Sequence, residues 1–532
     1  MKREIGVVTI LLLTSIILSS FSYFPEKNKL SYPQLAGDFA TSDSVYIDIA
    51  NNSAFIAYGW LGSGTEIDPF VLQYQTLGQY EDYGSLLIHS TDAHFVIRNC
   101  HFLLMDIVFW SLSNGRIEDC TFTNSSVTLS ETIDCIITDN VFSYSTYDEN
   151  SIRITKSQNC EITRNSLSDG FTGIFLDNSN DTIISNNRFT DFKFGAITGD
   201  LANTTFTNNE LIRTGIRLEF WYPGLAQNLP VLENNTVNGK EPGIFFNLVG
   251  AYLETEQYGQ IILGNCNDTT VSGGVFVNCA TGVQLAGCHN CTLDSISVLD
   301  CSWDGLYVER CPQTTIRNCL VLNCSEIGIF LSLSPFYTIE NCTLRDNLEG
   351  ILPHIYSNNG TVVNCIIIGK GPDFYGTGIN LSNNSTAIGN TISENYRGIF
   401  VYGAHCLVVN NTITRNGYGI VLGEAYAGYG ERPYSNRIYG NEIGWNSLGN
   451  AYDSSYRFNE WDDGVSIGNS WSDYYGIGYY VIARDVVDHF PRLLPNDGIP
   501  LFYIHFGVVL TSIIAIVPIL VIAMKRRLNI PE

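Results

Sequence analysis

From residue 314 to 422, short apolar runs alternate with polar positions in one phrase written five times. Thr315-Ile316-Arg317-Asn318-Cys319 is followed by Ile339-Glu340-Asn341-Cys342, Val362-Val363-Asn364-Cys365, Ala387-Ile388-Gly389-Asn390 and Val408-Val409-Asn410-Asn411. Each phrase leads, 8 to 13 residues later, into a Gly–apolar phrase that opens at Gly328, Gly350, Gly378, Gly398 or Gly419. Alternation over four or five positions that stops at Asn, Asp or Gly predicts short strands between turns, not helices. The closing Asn or Cys recurs at 319, 342, 365, 390 and 411, in steps of 23, 23, 25 and 21. A period near 22 with this content marks a solenoid, in which each coil buries its apolar face on the next. Three short strands and three turns fill one such coil. The predicted fold is therefore all-β, a parallel β-helix.

The same phrase runs through the earlier chain. Cys100, Cys120, Asn140, Asn165, Asn187 and Asn209 follow at steps of 20, 20, 25, 22 and 22, and Asn235 comes 26 later. An interruption of 39 residues to Gly274 then reads as a coil with a protruding loop, because the phrase resumes at Thr270-Val271-Ser272-Gly273. Phrases from Cys100 to Asn441 count about 15 coils. The predicted β-helix spans 81–445. Residues 25–44 read as a linker, 45–80 as an N-terminal cap and 446–495 as an aromatic-rich C-terminal cap, since solenoid ends must be covered. Asp462-Asp463 is assigned to the cap, where short acidic side chains bond backbone groups.

Charge narrows the partners. Charged residues are 15% of the chain and the net charge is −25. Nucleic-acid binding needs clustered Lys and Arg and is excluded as a reading; polyanionic substrates are disfavoured for the same reason. Two apolar segments lie outside the repeats. Residues 1–24 have a basic start and an apolar stretch, as a signal peptide or signal anchor does. Residues 501–524 hold no Lys, Arg, Asp or Glu and are closed by Lys525-Arg526-Arg527. Twenty-four helical residues reach about 36 Å, enough to cross a bilayer with some tilt. The basic cluster predicts a cytoplasmic tail at 525–532, with the β-helix outside the cell on a single membrane span.

Outside the cytoplasm, fifteen cysteines could pair. Their positions point elsewhere. Cys319, Cys342 and Cys365 share a column with Asn390 and Asn411, and Cys266, Cys288 and Cys311 form another. Exchange of Cys with Asn at one place in successive coils reads as a small residue stacked inside a turn. Free thiols behaving as small hydrophobes are the preferred reading, with disulfides between coils about 4.8 Å apart as the alternative. Cys288-His289-Asn290-Cys291 has no second pair to complete a zinc site. Neither a cofactor nor a metal site is expected.

Function on a solenoid sits where turn residues of successive coils line up. The loops before the Gly phrases contribute Phe171, Phe194, Trp303, Asp304, Glu326, Glu349, Tyr375, Glu394, Tyr396, Arg397 and Tyr418. Aromatic rings with interspersed carboxylates suit a sugar-binding groove; the competing reading is rings that merely stack and acids that keep the shaft soluble. Hydrolysis would need two carboxylates about 5 to 9 Å apart, for which Asp300 or Asp304 with Glu326, and Asp346 with Glu349, are the candidates. No catalytic residue is assigned.

The closing phrases Asn459-x-Trp461-Asp462-Asp463-Gly464, Gly468-Asn469-x-Trp471-Ser472-Asp473-Tyr474 and Asp488-x-Phe490-Pro491 resemble those of NosD-like right-handed β-helix repeat proteins of prokaryotic cell surfaces. Gly59-Trp60 through Asp68-Pro69-Phe70 and Asn235-Thr236-Val237-Asn238-Gly239-Lys240 are similar to that group's opening and mid-chain phrases. The resemblance covers roughly residues 45–495 and implies a right-handed solenoid. The NosD name implies assembly of a copper enzyme, which is a third reading resting on the resemblance alone. Eight scattered His and three Met form no cluster of the kind copper takes. The expected function is a membrane-anchored, non-catalytic surface module that binds glycan or protein. A carbohydrate-active hydrolase or lyase is the alternative.

Overall fold

A computed structural model describes residues 46–78, 83–143, 150–201, 203–218, 230–354, 356–423, 433–455, 458–483 and 485–494. The predicted signal segment, linker and membrane span lie outside them. Among the described residues no helix is long and apolar enough to cross a membrane.

Strands of three to six residues repeat in threes, and each pairs in parallel with its counterpart one coil away. Thr361–Val363 pairs with Thr386–Ile388, which pairs with Leu407–Val409, always in the same register. Every coil thus presents its inward positions to one shared core: Ile316, Ile339, Val362, Ala387 and Val408 form a single buried file. Aromatic files do the same, with Phe102, Phe122 and Phe142 stacked at 5.0 and 4.4 Å.

The repeated polar phrase has a specific origin. Its penultimate residue adopts a left-handed backbone, as at Asp139, Arg164, Asn186, Asn208 and Asn364, a conformation in which Asn and Asp are enriched. That turn aims the next side chain into the coil. Asn165 N donates to Asn187 Oδ1 (2.8 Å), Asn187 N to Asn209 Oδ1 (2.9 Å) and Asn209 N to Asn235 Oδ1 (3.0 Å). A second such file runs from Cys365 through Asn390, Asn411, Asn441 and Asn469 to Asp488. All fifteen cysteines are buried and free. Those in the ladder columns hold the same place with a thiol, which donates to carbonyls within the turn; Cys319 Sγ reaches Arg317 O at 3.2 Å.

The solenoid is not one stack. Three sheets of eight, seven and eight strands cover the first part of the chain, and three of ten, nine and ten cover the second. The leading sheets make eighteen rungs, not about 15, because pairing begins at Tyr46–Ile49 and continues to Gly449–Asp453. The interruption before Gly274 is the break between the two stacks, not a coil with a loop. Strand Ile216–Leu218 ends the first leading sheet, and the next strand of that column, Gly243–Phe246, pairs only onward to Ile261–Gly264.

Two side chains close the exposed edge. Ile216 N donates to Gln260 Oε1 (2.9 Å), and Gln260 Nε2 donates back to Ile216 O (2.7 Å). Gln284 does the same for Leu218, accepting from its N at 3.1 Å and donating to its O. Gln284 alternates with the core residues Val283 and Leu285, so it lies on the outward face of the second stack, yet it is buried. The edge of one stack therefore abuts the side of the other.

Caps seal both ends. The N-terminal one holds a short helix, Asn52–Ala57, that the strand-based reading does not predict. Asn51 caps it by accepting from Ser53 N and Ala54 N, and Phe55 plugs the first coil against Phe70 at 4.7 Å and Phe95 at 5.3 Å. At the other end Trp461 and Trp471 are fully buried. Asp488 ends the ladder file and accepts from Trp471 Nε1 (3.0 Å). Asp463 Oδ1 accepts from Val465, Ser466 and Ile467 N, the backbone role read for it from the sequence.

Candidate functional site

The eleven singled-out residues fall along one corner of the second stack and on the piece of the first stack that meets it. Backbone bonds trace that corner: Glu326 N to Trp303 O, Glu349 N to Glu326 O, Arg397 N to Gly376 O and Tyr418 N to Tyr396 O. Register alone brings these positions together, since the loop before each Gly phrase falls at the same place in its coil.

Five of the eleven brace the junction. Phe171 and Phe194 stack at 5.0 Å, and Trp303 meets both edge-on at 5.6 and 5.1 Å. Arg217, from the terminal strand of the first stack, lies between the rings of Phe194 (4.1 Å) and Tyr307 (4.3 Å). It faces Asp304 at 3.6 Å, and both side chains are buried. Burial pushes the Asp304 carboxyl up to about 6, with Arg217 and Ile327 N pulling the other way. Glu326 pairs with Lys193 at 3.1 Å. Ser302 Oγ donates to Lys193 O at 2.7 Å.

The carboxylates considered for hydrolysis each have a partner. Asp304 holds Arg217, Glu326 holds Lys193, Asp300 accepts from Asn323 Nδ2 (2.7 Å), and Asp346 accepts from Arg345 Nε (3.1 Å). Beside this junction a cleft of about 560 Å³ is lined by Asp191, Lys193, Arg213, Asn278, Asp300 and Asn323 among others. Sequence reasoning misses its basic members, because they come from coils of the first stack and only the break between stacks brings them here.

The other six residues lie further along the second stack. Tyr375, Tyr396, Tyr418 and Tyr452 run as a file at centroid separations of 4.8, 5.8 and 6.5 Å. Tyr375 is 69% exposed and Tyr452 51%. Arg397 lies over the Phe400 ring at 4.7 Å and flanks Tyr396 at 5.8 Å. Glu394 pairs with Arg415 at 3.5 Å. Glu349 accepts from Asn380 Nδ2 at 2.9 Å; loss of surrounding water pushes its carboxyl from 4.5 to about 7, against the pull of Asn380, Thr377 and Arg397. Tyr452 is the one member of the file that the sequence reading leaves out. Register does not signal it, since Tyr418 pairs with Gly449 on the next rung and Tyr452 with Val421; only the fold brings the two rings to 6.5 Å. Chemically, the corner offers four aromatic faces, a guanidinium and one carboxyl that titrates near neutrality.

The sequence profile described as Periplasmic copper-binding protein (NosD) matches residues 41–221 and 325–476, and that described as Right handed beta helix region matches 249–367. A comparison with curated proteins gives no match. Among solved structures the chain is similar to the periplasmic alginate epimerase AlgG, at 13% identity over 69% of this chain and 77% of that one, with a TM-score of 0.32. It is also similar to a mannuronic acid specific family 6 lyase from human gut microbiota, at 12% identity over 85% and 92% with a TM-score of 0.27. The Siphovirus 9NA tailspike receptor binding domain shares 10% identity over 82% and 78%, with a TM-score of 0.25. Scores this low carry no argument about substrate or chemistry.

Proposed function

From the premise that the chain belongs to the NosD family of right-handed β-helix proteins, we propose a surface module that binds neutral glycan without transforming it. The file Tyr375, Tyr396, Tyr418 and Tyr452 carries this reading. Rings 4.8 to 6.5 Å apart and tilted to one another offer sugar rings a run of apolar surface at one corner. Tyrosine adds a hydroxyl at the rim of each face. Arg397 and Glu394 flank the file as polar groups that orient a ligand. The family's description as periplasmic supports a place outside the cytoplasm, and residues 501–524 are read as its single span, with a short basic tail inside the cell. The full chain, purified in detergent and applied to a glycan array, is expected to retain neutral oligosaccharides. Absence of binding to every glycan would overturn this reading, leaving a surface protein as the partner to seek.

One observation favours a second reading, a carbohydrate-active enzyme. Glu349 titrates near 7, the range of a general acid or base at neutral pH. Released oligosaccharides, abolished by Glu349→Gln, would establish it.

Copper, named in the family's description, does not fit the residues present. Such a site takes converging His, Met or Cys donors. Among the described residues no three His, Cys, Asp or Glu side chains are grouped to hold a metal, and the cysteines are enclosed in turns where their thiols bond carbonyls. No step through copper is assigned.

A further inference from the structure

Exposed apolar side chains are scattered through the two stacks, as at Val141, Val249 and Phe336, whereas in the C-terminal cap several fall within one short segment. Residues 474–483 read Tyr-Tyr-Gly-Ile-Gly-Tyr-Tyr-Val-Ile-Ala, ten positions without a charge in a chain of net charge −25. Tyr475 is 92% exposed and Ile477 87%, and Tyr479 and Val481 are also exposed. Gly476 and Gly478 both adopt positive φ, at 79° and 76°, with open space where a Cβ would stand. Backbone that only glycine adopts readily thus holds Ile477 at the tip of a projecting loop. The loop is firmly rooted: Tyr474 donates to Gly478 O (2.7 Å), and Tyr480 stacks on the buried Trp471 at 3.9 Å.

The loop lies beside the point where the chain leaves the body. Trp471 pairs with Leu493, the penultimate described residue, on the adjacent strand. Six residues separate Leu494 from the uncharged stretch 501–524, and a chain of six spans at most about 20 Å. The geometry points to this loop as a lipid-contacting foot: Tyr475, Ile477, Tyr479 and Val481 dip into the headgroup region of the bilayer that 501–524 crosses. The inference rests on reading 501–524 as a membrane span. Its chemistry is that of an interfacial anchor, in which tyrosine rings bury their faces and keep their hydroxyls wet. The loop ties the end of the shaft at two points, so the shaft does not swing freely on one tether.

The test uses the full chain in phosphatidylcholine vesicles. All fifteen native thiols are buried, so a cysteine introduced as Tyr475→Cys, or separately Ile477→Cys, is the one that takes an environment-sensitive fluorophore under native conditions. Ile67→Cys, at a 96% exposed position in the opposite cap, is the reference. The proposal expects blue-shifted emission at 475 and 477, quenched by shallow nitroxide lipids, and water-like emission at 67. Vesicle-bound, alkali-resistant chain with water-like emission at 475 and 477 overturns the foot and leaves the span standing. Alkali-extractable chain with quenched emission supports the foot and removes the span. Failure to float with vesicles overturns both. A blue shift in detergent that follows protein concentration and ignores nitroxide lipids assigns the loop to a second copy of the chain and also overturns the proposal.

Discussion

Gln260 and Ile216 are bonded as two residues of neighbouring strands would be, although one contributes only its side chain. The carboxamide has the donor and acceptor of a peptide group, and it answers both the N–H and the C=O of Ile216. A buried sheet edge must be paired or covered, and here two glutamines do it where one stack abuts the other.

Gln260→Leu keeps the volume and removes the carboxamide that answers Ile216 N, Ile216 O and Thr281 O. Ile216 N and O then go unsatisfied, at about 1–3 kcal/mol each, and Thr281 O loses a donor too, so denaturant titration is expected to show a loss of at least about 2–6 kcal/mol. Gln257→Ala, at an exposed position in the same segment, should stay within about 0.5 kcal/mol of the parent.

The ladder predicts an asymmetric exchange. Asn390→Ala strips the acceptor of Cys365 N and the donor to Val362 O, and thermal melts should show a loss of about 2–4 kcal/mol. Cys365→Asn instead extends the asparagine file by one rung. It should cost less than about 1 kcal/mol.

Stability should fall as pH rises through the upper carboxyl range, and Glu349 is a source. Its folded carboxyl titrates near 7 against an ordinary 4.5. Between those values the folded state holds the proton more tightly than the unfolded one, so raising pH favours unfolding. The contribution is fully present below about 4.5 and lost as pH rises through about 7. Glu349→Gln is expected to flatten that limb of a melting-temperature profile while leaving pH 4 unchanged. An unaltered profile would show that the carboxyl titrates normally.

Native-state maleimide labelling should modify none of the fifteen cysteines, and guanidinium should release all of them. Their sulfurs lie in enclosed turns out of a reagent's reach; burial pushes Cys135 up to about 12 and neighbouring thiols raise Cys301, Cys319 and Cys324, while hydrogen bonding from Cys288 lowers Cys266 to about 7 and makes it the most sensitive reporter of the enclosure. Reactivity needs access as well as a thiolate, and burial denies access to all of them. Mass spectrometry of the labelled chain reads both counts.

Tyr396→Ala and Tyr418→Ala should each weaken glycan retention about 10- to 100-fold, the cost of truncating an aromatic anchor, without shifting the melting midpoint by more than a few degrees. Trp303→Ala serves as the contrast. It removes a ring that packs on Phe171 and Phe194, so its main effect should be on stability.

The repeat was readable because its cause is local. A left-handed Asn or Asp followed by a stacked Asn or Cys must recur wherever the chain turns the same corner. The same logic made the corner bearing Trp303, Glu326, Glu349 and Tyr418 visible from spacing. The break between stacks was hidden, because Gln260 and Gln284 stand in apolar runs like any core-flanking residue, and their partners lie 44 and 66 positions away. For that reason Asp304 and Glu326 read as groove residues, and only the fold supplies Arg217 and Lys193. The helix Asn52–Ala57 was missed because six residues carry too little periodicity, despite the capping Asn51.

Each ladder asparagine is both recipient and donor, so a rung makes the same demand on its neighbour that it satisfies itself. A shaft built this way keeps no memory of how many turns it has. Whole turns can be duplicated or excised in the gene without leaving an unanswered group, and only the two end plugs and the glutamine joint are fixed in number. The number of turns, and with it the length of each stack, is therefore the property such a chain can change most cheaply.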